Sequence, residues 1–336
     1  KPNEHEFKVM GLAPYAKKEH LVKLLPIFEK ILWLNAKDEF ESRVPMHLVK
    51  YYLRDELIYQ RFDNIAGAIQ EFSEKIVLDW ISRWIGKTGV YNIALAGGVF
   101  MNVKMNQKIG ELSEVAKLIV VPSAGDETTA LGACVHGLGE LCRKNAAELK
   151  VNKIDSLYLG MEYSDKEIEE FLRTGGYFEK YKITRPENIN KEIAALLAQN
   201  QVVARFAGKI EFGARALGNR SILANSLNRE NVKLINEMIK NRDFWMPFAA
   251  TILDSDVGRY LVNPKNLDAS FMAITFNTTL EAQKDLSAAI HPYDKTSRPQ
   301  VLVREANPGY YEVIEEFKKL TGIGGVLNTS LNLNVE

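Results

Sequence analysis

The sequence predicts an α/β fold in its first half, passing into an α+β arrangement in its second. The first observation is a long helix opening near Asp63. Asp63 or Asn64 can cap it, and Ile65, Ala68, Ile69, Phe72, Ile76, Trp80 and Trp84 recur on one face at helical spacing. The second is a short apolar run, Tyr91 to Ala96, that ends at Gly97-Gly98 as a buried strand meeting a glycine turn. The third is a second run, Leu118 to Val121, stopping at Pro122-Ser123-Ala124-Gly125-Asp126. Helical spacing then resumes from Glu127 through Thr129, Ala130, Ala133, Leu138 and Leu141. Helix, strand, helix, strand, helix is the signature of layered α/β architecture.

Around 145–160 the composition turns polar, through Lys144, Asn145, Glu148, Lys150, Asn152 and Lys153. A domain boundary belongs there, giving domains 1–150 and 151–336. Beyond it a small helix spans Lys166 to Arg173, and Ile193, Leu196 and Leu197 ride a helix into a strand from Gln201 to Phe206. Short strands at Phe271 to Phe276, Gln300 to Val303 and Gly325 to Leu327 mix with helices at 230–240 and 311–320. No repeat and no low-complexity tract interrupts this pattern.

Composition excludes several classes. A hydrophobic fraction of 46% and a charged fraction of 26% are ordinary for a globular chain. Lysine plus arginine (43) balances aspartate plus glutamate (43), which argues against a nucleic-acid or anionic-membrane partner. No apolar run approaches the roughly 20 residues of a membrane helix. Cys134 and Cys142 match no metal spacing, so a reducing, cytoplasmic setting is expected. Both ends read as cuts within a longer chain.

Chemistry-bearing residues fall in clusters. Gly97-Gly98 after a strand brings backbone N–H groups near a helix start, as phosphate sites do, although tight turns use the same pair. Asp126 sits where open α/β sheets place ligands, and reads equally as a metal ligand and as a helix cap. Lys209, Glu211, Gly213, Arg215, Gly218, Arg220 and Ser221 fall within thirteen positions after a strand. Cations punctuated by glycines make an anion cradle, with arginines forking onto phosphate oxygens. Lys240 and Arg242 add two cations before the aromatic stretch Phe244-Trp245-Met246-Pro247-Phe248, read as core. His291, Asp294, Thr296, Arg298 and Gln300 alternate as residues on one strand face do. Asn328, Thr329, Ser330 and Asn332 offer small polar groups suited to ribose or phosphate, or to a turn.

Together these segments carry a resemblance. HEFKVMGLAPY (5–15), LAGGVFMN (95–102), SAGDETTALGA (123–133), EFGARALGNRSIL (211–223), IKNRDFWMPFA (239–249) and LNTSLN (327–332) are similar, in order, to the NodU/CmcH-type O-carbamoyltransferase family. The resemblance runs along essentially the whole chain. It implies an α/β actin-like ATPase-type half-domain, akin to the tRNA threonylcarbamoyl-transferases, followed by an α+β YrdC-like domain. In that family the second domain forms carbamoyl adenylate from carbamoyl phosphate and ATP. The first then transfers carbamoyl to a hydroxyl of a sugar, antibiotic or similar small molecule.

Carried over by position, the resemblance makes Asp126 a ligand of a divalent metal (iron, magnesium, manganese or zinc). It makes Gly97, Gly98 and Asn102 a nucleotide pocket. Lys209, Arg215, Arg220, Ser221, Lys240, Arg242 and Arg298 would hold carbamoyl phosphate or ATP. Asn328 and Ser330 resemble the serine/asparagine nucleotide motif of YrdC proteins. The family's histidine-rich metal motif would lie upstream of this chain. Met246, Ala250 and Lys295 stand where members carry arginine, proline and glycine. A homodimer is compatible with all of this. The alternatives are an actin-like ATPase or kinase, and a non-catalytic nucleotide-binding partner. The first leaves the two basic clusters unexplained.

Overall fold

A computed structural model describes residues 5–151, 154–240, 243 and 245–332. The first region opens with helices α1 (Glu6–Leu12), α2 (Lys18–Glu29), α3 (Val49–Leu57) and α4 (Phe62–Thr88), with a small hairpin of β1 (Trp33–Leu34) and β2 (Phe40–Glu41). The apolar stripe of α4 serves two partners in turn. Ala68 and Phe72 pack on Leu21, Leu24 and Phe28 of α2, with the Phe28 and Phe72 rings 6.0 Å apart. One end of the helix then sends Ile81 and Ile85 into the main core. The expected cap differs: Arg61 occupies the cap position, while Asp63 lies in the first turn and pairs with Arg61 at 2.7 Å. Either position suits a carboxylate, because the first turn exposes free N–H groups. Gly89, at φ +66°, closes the helix with its N–H on the Ile85 carbonyl.

Next come β3 (Asn92–Leu95), α5 (Val103–Glu111), β4 (Lys117–Val120) and α6 (Thr129–Lys144). The two strands pair in parallel, Asn92 opposite Lys117 and Leu95 opposite Val120. Parallel pairs are normally covered on both faces. Here α5 buries Met105 and Ile109, whereas α6 buries none of its residues and leaves Leu131, Val135, Leu138 and Leu141 exposed.

After α7 (Asp165–Thr174), held by a Ser164–Glu167 capping box, α8 (Tyr177–Lys180) and α9 (Ile189–Ala198), the second region builds its sheet. Its strands are β5 (Val203–Phe206), β6 (Arg220–Ala224), β7 (Ala249–Leu253), β11 (Gln300–Leu302) and β12 (Gly325–Ser330). They lie in the order β11-β7-β12-β6-β5, antiparallel except for β11 on β7. A smaller sheet joins β8 (Leu261–Val262), β9 (Phe276–Thr278) and β10 (Thr296–Ser297). Helices α10 (Glu230–Leu234), α11 (Val257–Tyr260), α12 (Leu280–Asp285) and α13 (Pro308–Thr321) complete it. α13 packs along α9 through Val313, Ile314 and Phe317.

Two central strands, β6 and β7, escaped the sequence reading. The strand expected at Phe271 to Phe276 begins only at Phe276, because the preceding segment spends its polar groups on α5. Thr275 donates to the Val103 carbonyl and the Gln107 amide oxygen, and Asn106 donates to the Ala273 carbonyl. One apolar core therefore runs from Ile81, Leu95 and Ile109 into Leu223, Ile252 and Phe317. Among the described residues, no helix is long and apolar enough to cross a membrane.

The burial contrast is testable by urea unfolding. Phe72→Ala should cost about 3–5 kcal/mol, whereas Leu138→Asn on the exposed face of α6 should cost less than about 0.5 kcal/mol. Equal losses would contradict this packing.

Candidate functional site

The segment Glu211–Asn219 arches between β5 and β6. It turns at Gly213 (φ +92°) and Gly218 (φ +112°), conformations that favour glycine. A Cβ on Gly218 would lie 2.2 Å from the Tyr310 ring, and one on Gly213 would lie 2.5 Å from Ser123 Oγ. Glycine is required twice over at each, by conformation and by space.

The peptide groups of this arch are fastened individually. The amides of Leu217, Asn219 and Arg220 all donate to Glu211 Oε1, at 2.9, 2.8 and 3.1 Å, and the Gly218 amide donates to Ser221 Oγ at 3.0 Å. Ala216's carbonyl accepts from Asn328 Nδ2, Leu217's from Tyr158 Oη and Gln300 Nε2, and Gly218's from Arg205 Nη1. Thr251 ties Asn328 to Gln300, at 3.0 Å on each side. The amides of this arch thus hold the chain's own Glu211 carboxylate. What remains for a ligand is side chains.

Those side chains stand as follows. Lys209 is exposed. Arg215 is half-buried, and burial pushes its guanidinium down to about 10 against the opposing pull of the Glu127 carboxylate. Arg220 stacks 3.6 Å above the Phe206 ring and donates to the Ala207, Asn219 and Gly208 carbonyls. Its Nε is buried without a hydrogen-bond partner. Lys240 is 1% exposed, at the end of a π-helical turn (Ile235–Lys240) that continues α10. Its ammonium donates to the Ser330 carbonyl and Oγ and to the Asn332 carbonyl and Oδ1. Ser330 lies opposite Ser221 across β12 and β6, and the Leu331 amide donates to the Arg220 carbonyl. Lys240, Ser330, Ser221 and Arg220 therefore meet at one end of the sheet.

Asn328, two residues earlier on β12, is buried beneath the arch, and its Oδ1 is left without a partner. Arg298 lies between β10 and β11, two residues before Gln300. Arg242 lies outside the described residues.

The glycine turn is a separate place. Gly97 (φ +101°) and Gly98 are exposed, with open space where a Cβ would stand. Asn102 caps α5 through the Met105 amide and exchanges hydrogen bonds with Gln70. Asp126 is exposed at the start of a short 3-10 turn, and no side-chain cap bond is made there or at α6, so the capping reading is not realised. Glu127 accepts from Ser123 Oγ and faces Arg215. Through Ser123 and Glu127, the loop carrying Asp126 abuts the arch. Among the described residues no three His, Cys, Asp or Glu side chains gather to hold a metal ion.

Arg205, Tyr158 and Tyr310 were missed by the sequence reading. Arg205 is buried over the Tyr310 ring at 5.4 Å, and burial lowers its pKa. The available signal was an arginine inside the apolar run Val202-Val203-Ala204-Arg205-Phe206, where an unpaired charge is costly.

Residues 1–135 match the family described as Carbamoyltransferase N-terminus, and residues 194–336 match Carbamoyltransferase C-terminus. An uncharacterized protein of Methanocaldococcus jannaschii, MJ1058, is 33% identical over 99% of this chain and 54% of its own length. Nodulation protein NolNO of Sinorhizobium fredii is 32% identical over 98% of the chain and 48% of its own length. Nodulation protein NolO of Bradyrhizobium diazoefficiens is 32% identical over 98% and 60%. The chain thus spans about half to three-fifths of the length of these curated relatives. With both family regions matched in order, the chain belongs to the carbamoyltransferase family.

Proposed function

We propose that this chain carries the activating and part of the transferring machinery of an ATP-dependent O-carbamoyltransferase. The observation that carries the reading is the meeting of Lys240, Ser330, Ser221 and Arg220 beside the fastened arch. Water releases phosphate from carbamoyl phosphate, and the resulting carbamate oxygen attacks the α-phosphorus of ATP. Pyrophosphate leaves and carbamoyl adenylate remains. Preorganised cations lower this barrier by stabilising negative charge as it develops on the phosphates. Lys240 suits that role because its ammonium is already desolvated and aimed at Ser330. Arg220 contributes through its unspent Nε, and Arg215, Arg298, Lys209 and Arg242 supply further positive charge.

Transfer follows at the glycine-turn side, where open space beside Gly97 and Gly98 leaves room for the adenylate or acceptor. The acceptor hydroxyl, on a sugar or similar small molecule, attacks the carbamoyl carbon, AMP leaves, and the hydroxyl proton passes to solvent or a neighbouring base. Asp126 alone does not make a metal site. An iron, zinc, magnesium or manganese ion there would draw its other ligands from outside the described residues.

The test is carbamoyl-phosphate-dependent exchange of pyrophosphate into ATP. Wild type should exchange, and Lys240→Met should lose about 100-fold or more. ATP hydrolysis to ADP and phosphate, indifferent to carbamoyl phosphate, would indicate a plain ATPase, and no exchange at all in the wild type would contradict the reading. Glu211→Gln, which removes the charge from three amide contacts, should destabilise the protein by about 2 kcal/mol and raise the KM for carbamoyl phosphate. An unchanged denaturation midpoint would show that the nest does not need its carboxylate.

A further inference from the structure

The turn from His291 to Thr296 is held by the first region on three sides. His291 Nδ1 accepts the Tyr293 and Asp294 amides at 3.2 and 3.3 Å, which leaves Nε2 to carry the proton donated to the Gly11 carbonyl at 3.0 Å. The Tyr15 ring packs against those of His291 and Tyr293, at 5.6 and 5.2 Å. From α5, the Lys104 ammonium reaches both Asp294 Oδ2 and Thr296 Oγ1. Asp294 Oδ1 in turn accepts from the Thr296 amide and hydroxyl. With Lys104 and Asp294 only 17% and 28% exposed, this ion pair is poorly screened, and removing either member leaves a half-buried charge.

The contact joins two places that the proposed reaction uses. Lys104 stands two residues after Asn102, the cap that follows the Gly97-Gly98 turn. Asp294 stands four residues before Arg298. Beyond that, Gln300 anchors the arch by donating to the Leu217 carbonyl. A displacement of the turn therefore reaches the arch within a few covalent links, along β10 and β11.

We propose that Lys104, acting through Asp294, is a positioning residue that couples the glycine turn of the first region to the arch and Arg298 of the second. The effect on the KM for carbamoyl phosphate rests on the carbamoyl-adenylate reading. The mechanical coupling does not.

Amide hydrogen exchange read by mass spectrometry on the intact chain separates the two. In Lys104→Met, exchange should accelerate about tenfold or more in peptides covering 293–297 and also in those covering 217–220. Asp294→Asn should do the same, the double variant should add little, and Lys104→Arg should restore protection. Thr296→Val, a milder change, should give a smaller shift in the same two peptides. In pyrophosphate exchange, Lys104→Met should raise the KM for carbamoyl phosphate while kcat holds, and Lys104→Arg should restore it. Unchanged exchange in Lys104→Met, or acceleration confined to 293–297, overturns the proposal, as does an unchanged KM in an active enzyme. A wild type without pyrophosphate exchange refutes the carbamoyl-adenylate reading, and hydrogen exchange then decides the coupling alone.

Discussion

The Glu211 carboxylate, receiving three backbone amides on one oxygen, is the interaction on which the candidate site depends. It closes the arch on itself. Glycines at φ +92° and +112° would otherwise leave that segment with high conformational freedom, and an open loop cannot hold arginines in register. Tyr158, Gln300, Asn328 and Arg205 fasten carbonyls of the same arch. Such a network orders the loop before any ligand arrives, which is how an electrostatic site avoids reorganisation during reaction.

That network belongs to the sheet beneath it. Asn328 and Thr251 lie on β12 and β7, Gln300 opens β11, and Arg205 and Ser221 lie on β5 and β6, so the arch is tied, directly or through Thr251, to all five strands of the larger sheet among the described residues. The sheet shares its apolar core with α4, β3 and α5 of the first region. Polar contacts repeat the connection: Lys265 donates to the Leu112 and Val115 carbonyls, and Thr275 to Val103 and Gln107. The two regions are joined through their interiors as well as through the chain.

Much of this was legible in the sequence. The long helix, the glycine-ended strand and the closing helix all appear where hydrophobic period and turn chemistry place them, although the closing helix leaves its apolar residues exposed. β6 and β7 were not legible. β6 opens with Arg220-Ser221, which reads as loop, and its polarity is explained only by the carbonyls and strand partner that receive it. The basic segment was read as an anion cradle through its arginines, and that its amides close on Glu211, already in the motif, was not read. A carboxylate six to nine residues from its donors leaves no periodic trace. The convergence of Lys240 with Ser330, ninety residues apart, is likewise a property of the sheet.

The central claim is that Lys240, Ser330, Ser221 and Arg220 form one phosphate-gripping place beside a prefastened arch. A crystal structure with carbamoyl phosphate and a non-hydrolysable ATP analogue tests it most directly. The account predicts phosphate density within hydrogen-bonding reach of the Lys240 ammonium and Arg220 Nε, with the Glu211–amide contacts intact. Nucleotide bound elsewhere on the chain, with Lys240 still closed on Ser330 and Asn332, would contradict it.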